Sequence, residues 1–179
     1  MNGAARPLPP VIGLAAASGT GKTTLIRALL PLLKARGLRV GVVKHTHHDV
    51  EMDRPGKDSY EIRRAGADQM LLGGRSRWTL VGELDGARDP ELPELLARLA
   101  LDELDLVLVE GFRHVRYPKI ELHREALGQP LLCQDDDSII ALASDVPLAA
   151  PRGIPLLDLN DPAAIARFVL ARHFPDRIE

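Results

Sequence analysis

Residues 16–23 constrain this chain more than any others. They read Ala-Ala-Ser-Gly-Thr-Gly-Lys-Thr, after an apolar run (residues 11–17) and before a stretch with Leu25, Ile26, Leu29, Leu32 and Leu33 at helical spacing. A strand that runs into small residues and then a helix lets consecutive backbone N–H groups turn inward around an anion at the helix N-terminus. The pattern is that of a phosphate-binding loop, G-x-x-x-x-G-K-[ST], with Ala16 at the first glycine position; alanine fits there if its φ is negative. Lys22 carries positive charge toward β- and γ-phosphates, and the Thr23 hydroxyl is placed to bind Mg²⁺. Ser18, Gly19, Thr20, Gly21, Lys22, Thr23 and Thr24 are therefore the expected phosphate site.

Around this loop the pattern alternates. Strands are expected over residues 11–17, 39–44, 68–72, 78–84, 106–109, 119–123, 139–143 and 156–159. The helix after the loop should run to about Arg36, stop at Gly37 and kink at Pro31. Asp58 reads as the N-cap of a short helix ending at Gly66, with Glu61 completing a capping box. An acidic amphipathic helix is expected over residues 90–104 and a closing helix over 161–173. The alternation predicts an α/β fold of three layers, a P-loop NTPase fold with a mainly parallel sheet, helices on both faces and extra strands in the middle region. The proline-rich residues 1–10 read as a flexible tail. Residues 11–179 read as one nucleotide-binding domain, with no repeat, low-complexity block or clear linker.

A P-loop of this kind works with a carboxylate from a neighbouring strand, and residues 105–110 offer two. Asp105 and Glu110 lie about 16–17 Å apart along an extended strand. Ligands sit at the carboxyl ends of strands in such sheets, which selects Glu110 for Mg²⁺ or an attacking water.

Composition narrows the partners. Lys and Arg total 23 against 25 Asp and Glu, a net charge of −2, and aromatics are 3% of residues. Neither a global basic field nor stacking platforms are present for nucleic acid or an anionic membrane surface. The single cysteine, Cys133, excludes an internal disulfide and fits a reducing compartment. The apolar run near the N-terminus is too short to span a bilayer and lacks the layout of a signal peptide, so the chain is expected in the cytoplasm.

Lys44-His45-Thr46-His47-His48 ends the second expected strand. His45 and His47 share one strand face, His48 points away, and no cysteine lies nearby; anion recognition or polar packing fits better than a metal site. Basic residues crowd the first half (Lys44, Arg54, Lys57, Arg63, Arg64, Arg75, Arg77) and follow Glu110 (Arg113, Arg116, Lys119, Arg124), so the near-neutral total conceals a local anion site.

Taken together, residues 18–24, residues 44–67 (KHTHHDVEMDRPGKDSYEIRRAGA) and residues 105–124 (DLVLVEGFRHVRYPKIELHR) resemble the molybdopterin-guanine dinucleotide biosynthesis protein B (MobB) family. The resemblance covers the N-terminal two-thirds of the chain. It implies a homodimeric P-loop GTP-binding protein with weak GTP hydrolysis. Such a protein acts in the cytosol as an adapter beside the guanylyltransferase that joins GMP to molybdopterin, with the transferase and molybdopterin as its expected partners. The family's KHxHH and DxPGKDS motifs match residues 44–48 and 53–59, so Lys44, His45, Asp53, Lys57 and Asp58 are expected to line the nucleotide or pterin side. The EGF motif matches residues 110–112, followed by Arg113; the PKIEVHR motif matches residues 118–124, with Leu122 in the valine position. No N-K-x-D motif occurs, and Asp145, after a late strand, is the expected reader of the guanine N1–H and N2–H₂.

Two other readings use the same residues. A small-molecule kinase would hold its acceptor with Lys57, Arg63 or Arg113, and would need an arginine-bearing lid that only residues 49–57 could supply. A nucleotide-dependent metal chaperone would use His45, His47 and His48.

Overall fold

The apolar run forms β1 (Val11–Ala15), buried along its length except at Val11. The computed structural model describes residues 7–46, 50–51, 53–86 and 88–178. Among these, seven further strands follow: β2 (Val40–Lys44), β3 (Gln69–Gly73), β4 (Trp78–Gly82), β5 (Leu106–Glu110), β6 (Lys119–His123), β7 (Ile139–Ser144) and β8 (Leu156–Asp158). The helices are α1 (Lys22–Ala35), α2 (Asp58–Arg64), α3 (Leu92–Leu96) and α4 (Pro162–His173). The chain divides into two compact units, one of the residues up to His45 and from Glu91 on, the other Thr46–Pro90.

In the first unit six strands form one sheet in the order β2-β5-β1-β6-β7-β8, with every pairing parallel. A parallel sheet covered on both faces needs strands apolar on both sides. β5 meets that need: Leu106 and Leu108 join the core under α1 and α4, while Val107 and Val109 face the opposite layer. α1 contributes Leu25, Ile26, Leu29 and Leu33, and α4 contributes Ile165, Ala166, Val169 and Leu170. Each such leucine contributes about 1.5–3 kcal/mol by leaving water. On the opposite face, Leu92 packs with Val43, Val107 and Val109, and Cys133 packs with Ile139 and Leu142. Burial, then the neighbouring Glu121 carboxylate, push the Cys133 thiol up to about 12, so it is an inert core group.

Three local expectations change. α1 runs unbroken through Pro31; Pro31 and the Arg27 whose carbonyl loses its donor are both exposed, so water satisfies that carbonyl. Asp58 is not an N-cap. Lys57 caps α2 with no side-chain bond, because Gly56 (φ +83°) turns the chain one residue earlier and the Lys57 carbonyl already accepts from Glu61 N–H. The helix expected over residues 90–104 is α3 alone, followed by a turn and a 3₁₀ turn (Leu101–Glu103). Leu95, Leu96, Leu99, Leu101 and Leu104 do not share one helical face, and the tighter path lets all five pack against the same core cluster. Its capping box is between Glu91 and Glu94.

β6 alternates in sequence, yet all five of its residues are buried. Lys119, 1% exposed, pairs with Asp136 at 2.9 Å and donates to the Val115 carbonyl. The buried Glu121 carboxylate accepts from Leu132 N–H at 2.7 Å and Cys133 N–H at 2.8 Å. Both charges thus tie the segment after β6 to the sheet.

The second unit is built on the antiparallel pair β3–β4, with Leu71 opposite Leu80 and Gly73 opposite Trp78. Arg63 of α2 pairs with Glu51 and, at 2.7 Å, with Glu83. The Glu83 hydrogen bond raises the Arg63 pKa further above its ordinary value.

Candidate functional site: a glycine-cradled loop and its carboxylate

Residues 16–21 connect β1 to α1. Gly19 (φ +79°) and Gly21 (φ +105°) are left-handed, a backbone that side chains resist, and a Cβ on Gly19 would meet nothing within 4 Å. Ala16 keeps negative φ, since among the described residues only Phe112 and Arg152 depart from it without being glycine. Thr20 is buried and its hydroxyl donates to the Ala17 carbonyl at 2.9 Å, fixing the loop internally.

Lys22 folds back so that Nζ donates to the carbonyls of Ala16 (3.1 Å) and Ala17 (2.8 Å). Its pKa is lowered, chiefly by burial; Glu110 opposes this, while Arg113 and Lys44 add to it. A partly desolvated ammonium next to two other cations is primed for an anion.

The sheet register brings the carboxylate in. Glu110 ends β5 between Leu14 of β1 and Lys44 of β2. The Thr23 hydroxyl lies 2.9 Å from both Glu110 carboxylate oxygens, and Lys44 Nζ lies 3.3 Å from Thr23 Oγ1 and 3.4 Å from Glu110 Oε1. Asp105 is at the far end of β5, accepting from Arg39 N–H at 2.6 Å.

Past Glu110 the chain turns through Gly111 (φ +110°) and Phe112 (φ +54°). A Cβ on Gly111 would sit 2.8 Å from the His45 Cβ, so glycine is required twice over, by space and by φ. His45 donates its backbone N–H to the Glu110 carbonyl at 2.9 Å, and its ring lies 4.5 Å from that of Phe112. Tyr117 anchors the returning chain: its hydroxyl donates to the Gly111 carbonyl at 3.1 Å, and its ring occupies the space a Cβ on Gly13 would need. Burial raises the Tyr117 pKa well above the ordinary tyrosine value.

On the other side of β1, Arg124 links the loop to the sheet. Its Nε donates to the Thr20 carbonyl at 3.0 Å, and Nη1 lies 3.4 Å from Asp145 Oδ2. Asp145 Oδ1 accepts from Glu125 N–H at 3.0 Å, and that bond is the main reason its pKa is lowered. Arg124 and Tyr117 were not singled out as site residues from the sequence, although both lie within or beside the Pro118–Arg124 motif; an embedded Gly13 in an otherwise branched apolar run was the available signal for Tyr117.

The structure thus brings together Thr20, Lys22, Thr23, Lys44 and Glu110, with His45 and Arg113 close by in the same unit. Asp53, Lys57 and Asp58 belong to the second unit; Asp53 accepts from Arg54 N–H at 2.9 Å. His47 and His48 lie outside the described residues. No group of three or more metal-ligating side chains occurs among the described residues.

A parallel sheet whose first strand enters a glycine-cradled lysine loop, with a carboxylate on the adjacent strand against the loop threonine, defines the P-loop class of nucleotide-binding proteins. Residues 11–145 match the family described as molybdopterin guanine dinucleotide synthesis protein B. The chain is 46% identical over 168 residues to the molybdopterin-guanine dinucleotide biosynthesis adapter protein of Escherichia coli K12, covering 93% of this chain and 95% of that one. It is 40% identical to the adapter protein of the same name in Haemophilus influenzae, covering 89% and 87% of the two chains. A crystal structure of molybdopterin-guanine biosynthesis protein B superposes with a TM-score of 0.71 at 26% identity, covering 90% of this chain and 97% of the other. The chain belongs to this MobB family.

Proposed function

We propose that the chain is a GTP-binding adapter in molybdopterin guanine dinucleotide assembly, with weak Mg²⁺-dependent GTP hydrolysis. The nucleotide half of this reading is carried by one observation, the Thr23 hydroxyl against the Glu110 carboxylate at the mouth of the loop. A hydroxyl and a carboxylate form a hard oxygen set of the kind Mg²⁺ takes beside substrate phosphates. The adapter half rests on the relatives, which carry that name.

Thr23 and Glu110 would hold Mg²⁺, whose chemistry is to neutralise charge shared by the β- and γ-phosphates. The amides of residues 18–23 bind phosphate oxygens around Gly19 and Gly21. Lys22 exchanges the carbonyls of Ala16 and Ala17 for phosphate oxygens, which favour its charged form. Glu110 also orients the attacking water through its carboxylate. Asp145 keeps lone pairs beyond its bonds to Glu125 and Arg124, and is assigned the guanine edge.

Calorimetry with GTP, GDP and ATP, with and without Mg²⁺, tests the nucleotide half. GTP should bind best and need the metal; absence of any nucleotide binding would sink the reading, and an unchanged GTP preference in Asp145→Ala would remove the base reader. With GTP and Mg²⁺ saturating, Glu110→Gln is expected to slow single-turnover GTP hydrolysis about 100-fold; an unchanged rate at saturation would make Glu110 a binding group only. The adapter half predicts GTP-dependent co-elution with the molybdopterin guanylyltransferase in the cytoplasm.

A homodimer is part of the same reading. A two-stranded sheet is marginal alone, and one face of β3–β4 exposes Leu71, Trp78 and Leu80, an apolar patch of the sort that marks an interface. Trp78 is the only tryptophan and is 64% exposed in the single chain. Light scattering should give twice the chain mass, with Trp78 emission shifting to the red on dilution; a monomer at micromolar concentration with unshifted emission contradicts the dimer. Among the described residues no helix is long and apolar enough to cross a membrane.

A further inference from the structure

The first unit holds a cavity of about 610 Å³, partly walled by Ala16, Ala17 and Thr20 of the phosphate loop. That volume falls in the range of small-molecule sites, roughly 300–1,000 Å³. The remaining walls come from residues 113–116, from the end of β6 and from the segment after it. Most of the charges lining it are already engaged. Glu121 is taken by two backbone N–H groups, Asp136 by Lys119, Arg116 by Asp137 at 2.6 Å, and Arg124 by the Thr20 carbonyl and Asp145. Asp135 stays a solvent-exposed carboxylate. Arg113 differs: its Nε donates to His114 Nε2 at 3.1 Å, and its two terminal NH₂ groups have no carboxylate partner among the described residues. Arg113 also acts on Lys22 across the loop, since its charge helps depress the lysine pKa after burial has done most of it. Beside these cations lie apolar side chains, Val115, Leu127 and Leu131. The buried Lys119–Asp136 and Glu121 ties hold the far wall to β6, so the cavity is formed in advance of any ligand.

We propose that this cavity is a second ligand site, for an organic phosphate monoester whose phosphate is held by Arg113 and whose ring lies against Val115, Leu127 and Leu131. The site borders the loop, so its occupant sits next to the nucleotide and not in its place; in that respect the proposal rests on the P-loop reading above. Phenyl phosphate is a suitable probe, with inorganic phosphate and phenol as the two half-ligands. Titrated by calorimetry into the protein saturated with GDP and Mg²⁺, phenyl phosphate should bind one to one, more tightly than either half. Arg113→Ala should weaken it about 10- to 100-fold, the loss of a charged hydrogen-bonding partner. Leu127→Trp, which fills the cavity from its partly exposed rim, should give a comparable loss. Displacement of the probe by GDP would place it in the phosphate loop and overturn the proposal, as would affinity unchanged in both variants or no binding at all. The same titration into nucleotide-free wild type separates the two readings: if GDP does not bind to the wild type but the probe still does, the nucleotide reading fails and the cavity stands.

Discussion

Lys22→Ala is expected to weaken GTP binding by at least about 100-fold, while the nucleotide-free variant melts no lower than the wild type. The ammonium now spends its hydrogen bonds on the carbonyls of Ala16 and Ala17. Moved to phosphate oxygens, it makes charge-assisted bonds worth roughly 1.5–3 kcal/mol each, and losing two accounts for the expected factor. The stability half follows from the sign of the pKa shift. Folding lowers the Lys22 pKa, mainly by desolvation, so the folded state holds that proton less firmly than the unfolded chain. Such a group detracts from stability below its folded pKa, and the penalty fades as pH rises toward the ordinary lysine value. Removing the group removes the penalty. Isothermal titration and a melting curve without nucleotide check both parts; a Lys22→Ala protein that binds GTP normally would contradict the phosphate role.

The second large effect lies under the cavity wall. Asp136→Ala strands the Lys119 ammonium, which is 1% exposed and would keep the Val115 carbonyl and the face of the Tyr117 ring, 5.1 Å away, but no counter-charge. Breaking a buried pair by removing one partner costs about 3–5 kcal/mol. Asp136 is itself 28% exposed, which brings the expectation down to about 2–4 kcal/mol. For a chain of this size that corresponds to a drop in Tm of roughly 5–15 °C. Lys119→Met together with Asp136→Ala should recover most of the loss, because a well-packed apolar replacement avoids the stranded charge. Asp136 also gives a pH signature. Burial raises its pKa, but bonds from Ser138 and Lys119 outweigh burial and leave it lowered. A lowered carboxylate pKa contributes stability that is present above the unfolded value and lost as pH falls through the folded one. Wild type should therefore lose stability on acidification through the carboxylate range more steeply than Asp136→Ala. Equal pH slopes would show that Asp136 is not held this way.

Much of the site was legible because its signals are local. The loop glycines, Lys22 and Thr23 sit in eight consecutive residues, and Glu110 follows from strand length and the rule that ligands gather at carboxyl ends. What escaped was set by partners distant in sequence. The alternation of Lys119, Glu121 and His123 reads equally well as a half-exposed strand, and only Asp136, Leu132 and Cys133 make those charges interior. The single acidic helix over residues 90–104 failed for a related reason: its leucines follow the contour of the sheet, which no helical period describes. Arg124 looked like one basic residue among several until its reach to the Thr20 carbonyl and Asp145 was visible.

The strand order has a consequence for how the chain is made. β1 emerges first from the ribosome but occupies an interior place in the sheet, pairing Val11 with Val107 and Gly13 with Lys119. Neither neighbour exists until the whole segment between β1 and β5 has been synthesised, and closing contacts so far apart in sequence is slow. An apolar strand and its glycine loop must therefore wait, exposed, for later residues. Glu110 therefore meets the Thr23 hydroxyl only once β5 has paired with β1.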